Sequence, residues 1–175
     1  MPLVAFLRGV NVGGHRTFRP SVLARELAAF DVVNVGAAGT FVVRTPGSAA
    51  RFRAALRARL PFETQVTLCD SRELLRIYNA HSLITRSRPD VTRFVSVLPK
   101  PGRTRIATPI ALPPQGRWLV RLLASDRQFL FGEYRRDMKT IGCLAQIDAL
   151  VGAPVTTRNW NTIAAIARVL TGATR

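Results

Sequence analysis

The amino-acid sequence predicts an α+β fold with two subdomains, and three observations support this prediction. Hydrophobic residues make up 47% of the 175 residues, which is enough to form a core and too many for a disordered chain. Residues 1–70 alternate short apolar segments with helical patterns in the order β-α-β-β-α-β, which is the order of the ferredoxin-like α/β plait. Residues 71–175 mix helices and strands less regularly and predict a second, smaller α+β, plait-like subdomain.

The elements of the first subdomain follow from the spacing of apolar residues and from turn and cap residues. Short apolar segments at 3–8 and 64–70 predict strands. Residues 20–30 place a proline in the first turn and leucines on one face, as an amphipathic helix does. Two strand-like segments around the glycine-containing turn at 36–40 predict a hairpin. The residues after Ser48 predict a second helix that this serine caps.

The second subdomain is predicted to have the order α-β-β-β-β-α-α. Its clearest feature is a hairpin that turns at Ser125 and Asp126. Five of the eleven prolines fall at 99–114, which limits that segment to short edge strands. The remaining predicted elements are a helix at 71–80, a strand at 93–98, and helices at 143–152 and 156–170.

The net charge of +16 favours association with nucleic acids or anionic surfaces but names no partner. Of the 26 basic residues, 24 are arginine, a skew that is as typical of a GC-rich coding bias as of a binding face. Residues 1–88 and 89–175 each carry 13 basic and 5 acidic side chains, so there is no basic tail. Arg53 and Arg57 share the polar face of the second helix without an acidic neighbour, which we interpret as a solvated face.

A cytoplasmic location is expected from the distribution of apolar residues and cysteines. Charged residues interrupt every apolar run well before the ~20 residues that a membrane span needs. The six residues "PLVAFL" before Arg8 are too few for a secretory signal. Cys69 and Cys143 are isolated from each other in sequence, and we predict buried thiols rather than a disulfide. The oligomeric state does not follow from the sequence.

The loop "LRGVNVGGHRTFRP" at 7–20 is the first candidate for function. Its glycines can adopt positive φ and expose backbone amides, which together form an anion-binding concavity. The spacing matches neither the dinucleotide-binding pattern nor the P-loop. A tight turn between a strand and a helix therefore remains an equal alternative. The residues of this loop that could bind a ligand are Arg8, Asn11, Gly13, Gly14, His15 and Arg16.

The segment "TTRNWNT" at 156–162 is the second candidate, and it is predicted to begin the last helix. Thr157 or Asn159 could cap that helix. The segment is more polar than a cap requires, and a helix N-terminus beside an arginine attracts anions. The residues of this segment that could bind a ligand are Thr157, Arg158, Asn159 and Asn161.

Together, the two segments resemble a bacterial protein family known as "domain of unknown function 1697". The matching residues are 7–14 and 156–162, which lie near opposite ends of the chain. The resemblance implies an α+β fold of two plait-like subdomains and no established activity. The chain departs from the family at 38–41, where Ala-Gly-Thr-Phe replaces Ser-Gly-Asn-Val. A lysine-containing stretch of the relatives is matched by Met138 and Lys139, which adds Lys139 to the candidate ligand-binding residues.

The sequence names no catalytic reaction. His15 and His81 are the only histidines, and no His or Cys spacing predicts a metal site. The carboxylates form no close pair for acid–base catalysis, and no G-x-S-x-G elbow is present. We predict neither a metal nor another cofactor. An enzyme in which Arg8, His15, Lys139 and Arg158 stabilise transition-state charge remains open.

The preferred hypothesis is that the protein binds a small anionic or phosphorylated ligand between the N-terminal glycine-rich loop and the start of the last helix. Such a shared site would explain why two polar segments of specific composition lie so far apart in the sequence. A nucleic-acid-binding module that uses diffuse arginine charge is the alternative, and its affinity would fall steeply as the salt concentration rises.

Overall fold

The computed structural model describes residues 1–81, 88–102 and 106–172. The chain divides into two compact units. The first unit comprises Met1–Leu83 together with Ala164–Arg175, and the second unit comprises Ile84–Ile163.

The first unit contains the predicted ferredoxin-like plait. Its four strands lie in the order β2-β3-β1-β4, and all neighbouring strands are antiparallel. This order follows from two crossovers, because α1 connects β1 to β2 across β3 and α2 connects β3 to β4 across β1. The elements are β1 (Leu3–Leu7), α1 (Pro20–Glu26), β2 (Val32–Asn34), β3 (Thr40–Val43), α2 (Ala49–Arg59) and β4 (Val66–Asp70).

The core of the first unit forms where alternate strand residues meet the apolar faces of the two helices. Ala5 and Leu7 of β1 belong to the same buried cluster as Phe52 and Leu56 of α2. Ser48 caps α2 as predicted, because its hydroxyl oxygen accepts a hydrogen bond of 3.1 Å from the Arg51 amide.

The first unit includes the helix that follows the plait. Helix α3 (Ser71–His81) follows β4 without an intervening loop. The Ser71 amide also donates a hydrogen bond of 3.3 Å to the carbonyl of Pro2. This bond holds the start of α3 beside β1, so the helix belongs with the plait that precedes it.

The second unit contains a five-stranded antiparallel sheet in the order β6-β7-β8-β5-β9. Helix α4 covers one face, where Cys143 and Ile147 share a buried cluster with Phe94 and Leu130. The path β8-α4-β9 crosses over β5, which gives a split β-α-β unit as in a plait. The elements are β5 (Val91–Val97), β6 (Ile110–Leu112), β7 (Val120–Asp126), β8 (Phe129–Arg135), α4 (Thr140–Val151), β9 (Thr156–Asn159) and the start of α5 (Trp160–Thr171). The residues of α5 from Ala164 onward belong to the first unit.

Two predicted elements of the second unit are wrong in detail. The hairpin between β7 and β8 turns at Arg127 and Gln128 rather than at Ser125 and Asp126, because the ladder continues to the pair Asp126–Phe129. The last helix begins at Trp160 instead of residue 156, because Thr156–Asn159 forms a strand that pairs with β5. The proline-rich segment contains the short edge strand β6, as the sequence indicated.

The end of β1 and the β2–β3 turn approach each other so closely that only glycine fits at position 39. The Leu7 amide donates a hydrogen bond of 2.8 Å to the Gly39 carbonyl. A Cβ atom at Gly39 would lie 2.7 Å from Val10 Cγ2 and 2.9 Å from Leu7 Cβ. The φ of Gly39 is also positive, at 68°.

We predict that Gly39→Ala lowers the free energy of unfolding by about 3 kcal/mol, because it adds a steric clash to an unfavourable positive φ. Gly36→Ala is the matched control in the same turn, since φ is also positive but no atom lies within 4 Å of the added Cβ. The control should lose about 1 kcal/mol. Urea denaturation of the two variants tests the difference, and equal losses would contradict the packing explanation.

Candidate functional site

The glycine-rich loop folds into a miniature hairpin. Val12 and His15 form an antiparallel bridge, and the His15 amide donates a hydrogen bond of 3.2 Å to the Val12 carbonyl. The two residues between them, Gly13 and Gly14, have φ values of 60° and 77°. Positive φ at both central residues is the pattern of the type I′ turn that closes two-residue hairpins. The turn therefore accounts for both glycines in structural terms.

Asn11 fixes this hairpin to the rest of the first unit. Its side-chain amide donates a hydrogen bond of 2.7 Å to the Ala37 carbonyl, and its side-chain oxygen accepts one of 2.9 Å from the Phe18 amide. Asn11 itself has a φ of 53°, which asparagine tolerates better than most residues. Both polar ends of this side chain thus position the loop.

Arg8 connects the base of the loop to the segment that leads into β4. Its amide donates a hydrogen bond of 3.1 Å to the Gln65 carbonyl, and its carbonyl accepts one of 2.6 Å from the Thr64 hydroxyl. The loop is therefore attached on one side to the β2–β3 turn and on the other to residues 64–65. These attachments set the position of Arg16, which follows the turn at the tip of the loop.

A cavity of about 700 Å³ lies beside the loop within the first unit. Of the predicted site residues, Arg16 lines it. The other lining residues belong to the end of α2 and to the connection between α2 and β4. They are Arg57, Leu60, Pro61, Phe62, Glu63, Thr64 and Gln65.

The cavity brings together two guanidinium groups from elements that are distant in sequence. Arg16 and Arg57 are both exposed, and neither forms an ion pair with a described residue. Glu63 is the single carboxylate among the described lining residues. Helix α2 carries four arginines and no acidic residue, and an added Cβ at Gly9 would contact Arg16 Nη1 at 3.9 Å. The arrangement has an excess of positive charge available for a ligand.

The contribution of Arg57 to this cavity does not follow from the sequence pattern. The side chain lies on the polar face of α2, as expected, but this face is more than a solvated surface, because its last turn lines the cavity. One turn earlier, the Nε atom of Arg53 is buried without a hydrogen-bond partner among the described residues. The absence of acidic residues from the helix was the signal that could have indicated this site.

The second candidate segment lies in the second unit, where its polarity has local explanations. The hydroxyl oxygens of Thr157 and Ser96 lie 2.6 Å apart across the β5–β9 pair. Asn159 caps α5 as predicted, because its side-chain oxygen accepts hydrogen bonds of 2.9 Å and 3.0 Å from the Thr162 amide and hydroxyl. Trp160 lies beneath the guanidinium of Arg93 at 4.3 Å. Strand pairing and capping together explain why the segment is so polar.

Arg158 is the most unusual residue of this segment, because its charge is buried. The residue is 9% exposed, and its Nη1 donates a hydrogen bond of 2.9 Å to the Thr157 carbonyl. Burial lowers the pKa of Arg158 to about 10, so the side chain is still charged at neutral pH. Thr156 lies on the same face of β9, and its buried hydroxyl has no hydrogen-bond partner among the described residues.

The remaining predicted residues are exposed. Lys139 precedes α4, and its amide donates a hydrogen bond of 2.9 Å to the Asp137 side chain. Asn161 lies in the first turn of α5. The loop residues belong to the first unit, whereas Lys139 and residues 157–161 belong to the second unit. A site shared by the two sets stays a prediction.

Both cysteines are buried free thiols, as the sequence predicted. Burial, together with the nearby charge of Asp70, raises the pKa of Cys69 above its usual range.

Within residues 1–81, 88–102 and 106–172, no group of three or more His, Cys, Asp or Glu side chains is placed to hold a metal ion. The helices of this same part of the chain are all too short or too polar to span a bilayer.

Comparisons with known proteins identify a family and a fold. Residues 1–112 match the family described as "Protein of unknown function (DUF1697)". None of the curated protein sequences matches the chain. Among solved structures, the chain is similar to the conserved bacterial protein SP0830 from Streptococcus pneumoniae, with a TM-score of 0.55 and 16% identity over 97% of this chain and 98% of that one. At this identity, the similarity shows the fold alone.

We predict that Asn11→Ala loosens the glycine-rich loop, because it removes the hydrogen bonds to Ala37 and Phe18. The loss in unfolding free energy should be about 2 kcal/mol. Asn11→Asp retains the acceptor for the Phe18 amide but not the donor to Ala37, and its loss should be intermediate. Hydrogen exchange of the amides of residues 11–16 should accelerate in the same order. Unchanged exchange in Asn11→Ala would show that other contacts hold the loop.

Proposed function

Because the chain belongs to the DUF1697 family of proteins of unknown function, we propose from its geometry that the first unit binds a small anionic ligand in the cavity beside the glycine-rich loop. One observation carries the proposal. The guanidinium groups of Arg16 and Arg57 line the same cavity of about 700 Å³ without a carboxylate partner among the described residues. Ligand cavities usually have volumes of about 300–1,000 Å³.

Arginine is well suited to this role, because its planar guanidinium donates two parallel hydrogen bonds to phosphate or carboxylate oxygens. Two such groups on one cavity repel each other when it holds only water, and a bound anion removes that repulsion. A hydrogen bond to a charged group contributes roughly 1.5–3 kcal/mol. Because both arginines are exposed, solvent screening keeps each contribution at the low end of this range, and we expect a simple anion to bind with a Kd in the millimolar range.

The proposal keeps the anionic ligand that the sequence suggested and places it in the first unit. Arg16 lines the cavity, and Asn11 holds the loop that carries Arg16. Gly13 and Gly14 form the turn between them. The loop thus acts in two ways, since its backbone conformation sets the position of the arginine and the arginine supplies charge.

We expect Arg16→Gln and Arg57→Gln each to weaken the binding of inorganic phosphate about tenfold, since each removes one charged donor. Arg59→Gln is the matched control, because it makes the same charge change on α2 but its guanidinium bonds to the Ala55 carbonyl and does not line the cavity. Phosphate titrations followed by NMR chemical shifts measure the three affinities. If Arg59→Gln weakens binding as much as Arg57→Gln, general charge rather than the cavity is responsible.

A second candidate function is nucleic-acid binding, and the composition of α2 favours it. The helix carries Arg51, Arg53, Arg57 and Arg59 without an acidic side chain, in a chain of net charge +16. Phosphate neutralisation by arginines releases counterions, so affinity falls as the salt concentration rises.

For this second candidate, we expect double-stranded DNA or RNA to bind at 50 mM salt and to lose affinity steeply by 200 mM, with a slope of about −0.9 per phosphate contact. A fluorescence anisotropy titration of a labelled duplex measures this slope. Arg51→Gln combined with Arg59→Gln should reduce the slope by about 2 if α2 lies against the backbone. The absence of binding to both DNA and RNA at low salt would eliminate the candidate.

A further inference from the structure

The lining of the first-unit cavity has an apolar part as well as a cationic part. Leu60, Pro61 and Phe62 follow one another at the end of α2, and all three line the cavity. Leu60 and Phe62 also pack against the buried core of the unit. The Phe62 ring contacts the Phe18 ring edge-to-face, with centroids 5.8 Å apart. This wall is therefore held in a fixed orientation by the core behind it.

The cationic part of the lining offers two arginines, beside which Glu63 is the one carboxylate among the described lining residues. Arg16 and Arg57 line the cavity, and Arg53 lies one turn before Arg57 on the same helix with a buried, unpartnered Nε atom. A phosphoryl group can satisfy two guanidiniums better than a carboxylate can, because it has three terminal oxygen atoms to accept hydrogen bonds instead of two. Phosphate monoesters carry a charge of about −1.5 to −2 at neutral pH.

The position of the two parts along α2 predicts the orientation of such a ligand. The apolar wall begins at Leu60, immediately after the last residue of α2, and Glu63 adds a carboxylate to the same side of the lining. The phosphoryl group should therefore lie against the guanidiniums, and an uncharged body should lie against Leu60 and Phe62.

We propose that the ligand of this cavity is a phosphate monoester with a flat, uncharged aromatic body, held by Arg16 and Arg57 at the phosphoryl group and by Leu60 and Phe62 at the ring. This inference rests on the proposed anion site and adds the chemical class of the ligand. A cavity of about 700 Å³ is larger than inorganic phosphate needs, and the apolar wall accounts for the remaining space.

The test compares three probes on the full chain: inorganic phosphate, phenyl phosphate and benzoate. We expect phenyl phosphate to bind about tenfold more tightly than inorganic phosphate, because the ring is removed from water against the apolar wall. Benzoate has the ring but a single negative charge, and it should bind more weakly than phenyl phosphate by a similar factor. Titrations followed by NMR chemical shifts give the three affinities under one set of conditions.

Substitutions test the cationic part and the apolar part of the site independently. Phe62→Leu keeps an apolar side chain in the core but removes the aromatic face, and it should lower the preference for phenyl phosphate over phosphate. Arg57→Gln should weaken phosphate and phenyl phosphate equally. Thermal unfolding of each variant shows whether it is folded, and Pro61→Ala serves as a second wall variant at an exposed position if Phe62→Leu unfolds.

The outcomes distinguish this inference from the proposed function. If inorganic phosphate binds and depends on Arg57 but phenyl phosphate binds no more tightly, the aromatic monoester is overturned and the anion site stands. If benzoate binds as tightly as phenyl phosphate, the requirement for a phosphoryl group is overturned. If none of the three probes binds, the proposed function fails together with the inference.

Discussion

The close approach of β1 to the β2–β3 turn is the constraint on which the candidate site depends. Because Gly39 has no side chain to clash with Leu7 and Val10, the Leu7 amide can reach the Gly39 carbonyl at 2.8 Å. The same turn offers the Ala37 carbonyl to the side chain of Asn11 at 2.7 Å. The loop after β1 is therefore anchored to a neighbouring turn, and its tip presents Arg16 to the cavity at the end of α2. A bulkier residue at position 39 would disturb a position 23 residues away in sequence.

Individual arginines differ in whether they have partners, and both units contain arginines paired with carboxylates, such as Arg44 with Asp31 in the first unit. In the second unit, the guanidiniums of Arg121 and Arg135 both lie over the Trp118 ring, at 4.0 Å and 4.1 Å from its centroid. Arg121 also pairs with Glu133, and Arg135 pairs with Asp90. These contacts combine cation–π stacking with ion pairs and stabilise the sheet. In the first unit, Arg16 and Arg57 have no such partners among the described residues. The net charge of +16 therefore does not indicate where a ligand would bind. The candidate site is indicated instead by the arginines that have no partner among the described residues.

The family resemblance that the two terminal segments indicated is confirmed by the match over residues 1–112. The structure adds physical reasons for parts of both segments. Gly13 and Gly14 have the positive φ values that their turn requires. The Thr157 hydroxyl meets Ser96, and Asn159 caps the last helix. Conformation and strand pairing thus explain these residues without a ligand, so the proposal of anion binding depends on the charges of the cavity.

The sequence by itself determined the elements whose signals are local. Apolar spacing, the Ser48 cap and the turn at 36–40 predicted the β-α-β-β-α-β order, because a residue's neighbours along the chain decide helix periodicity and capping. Tertiary structure decided the rest. Thr156–Asn159 is a strand because β5, about 60 residues earlier, supplies its hydrogen-bond partners. The cavity exists because residue 16 meets residues 57–65. Sequence patterns report local preferences, whereas pairing and cavity formation depend on contacts between residues far apart in the chain.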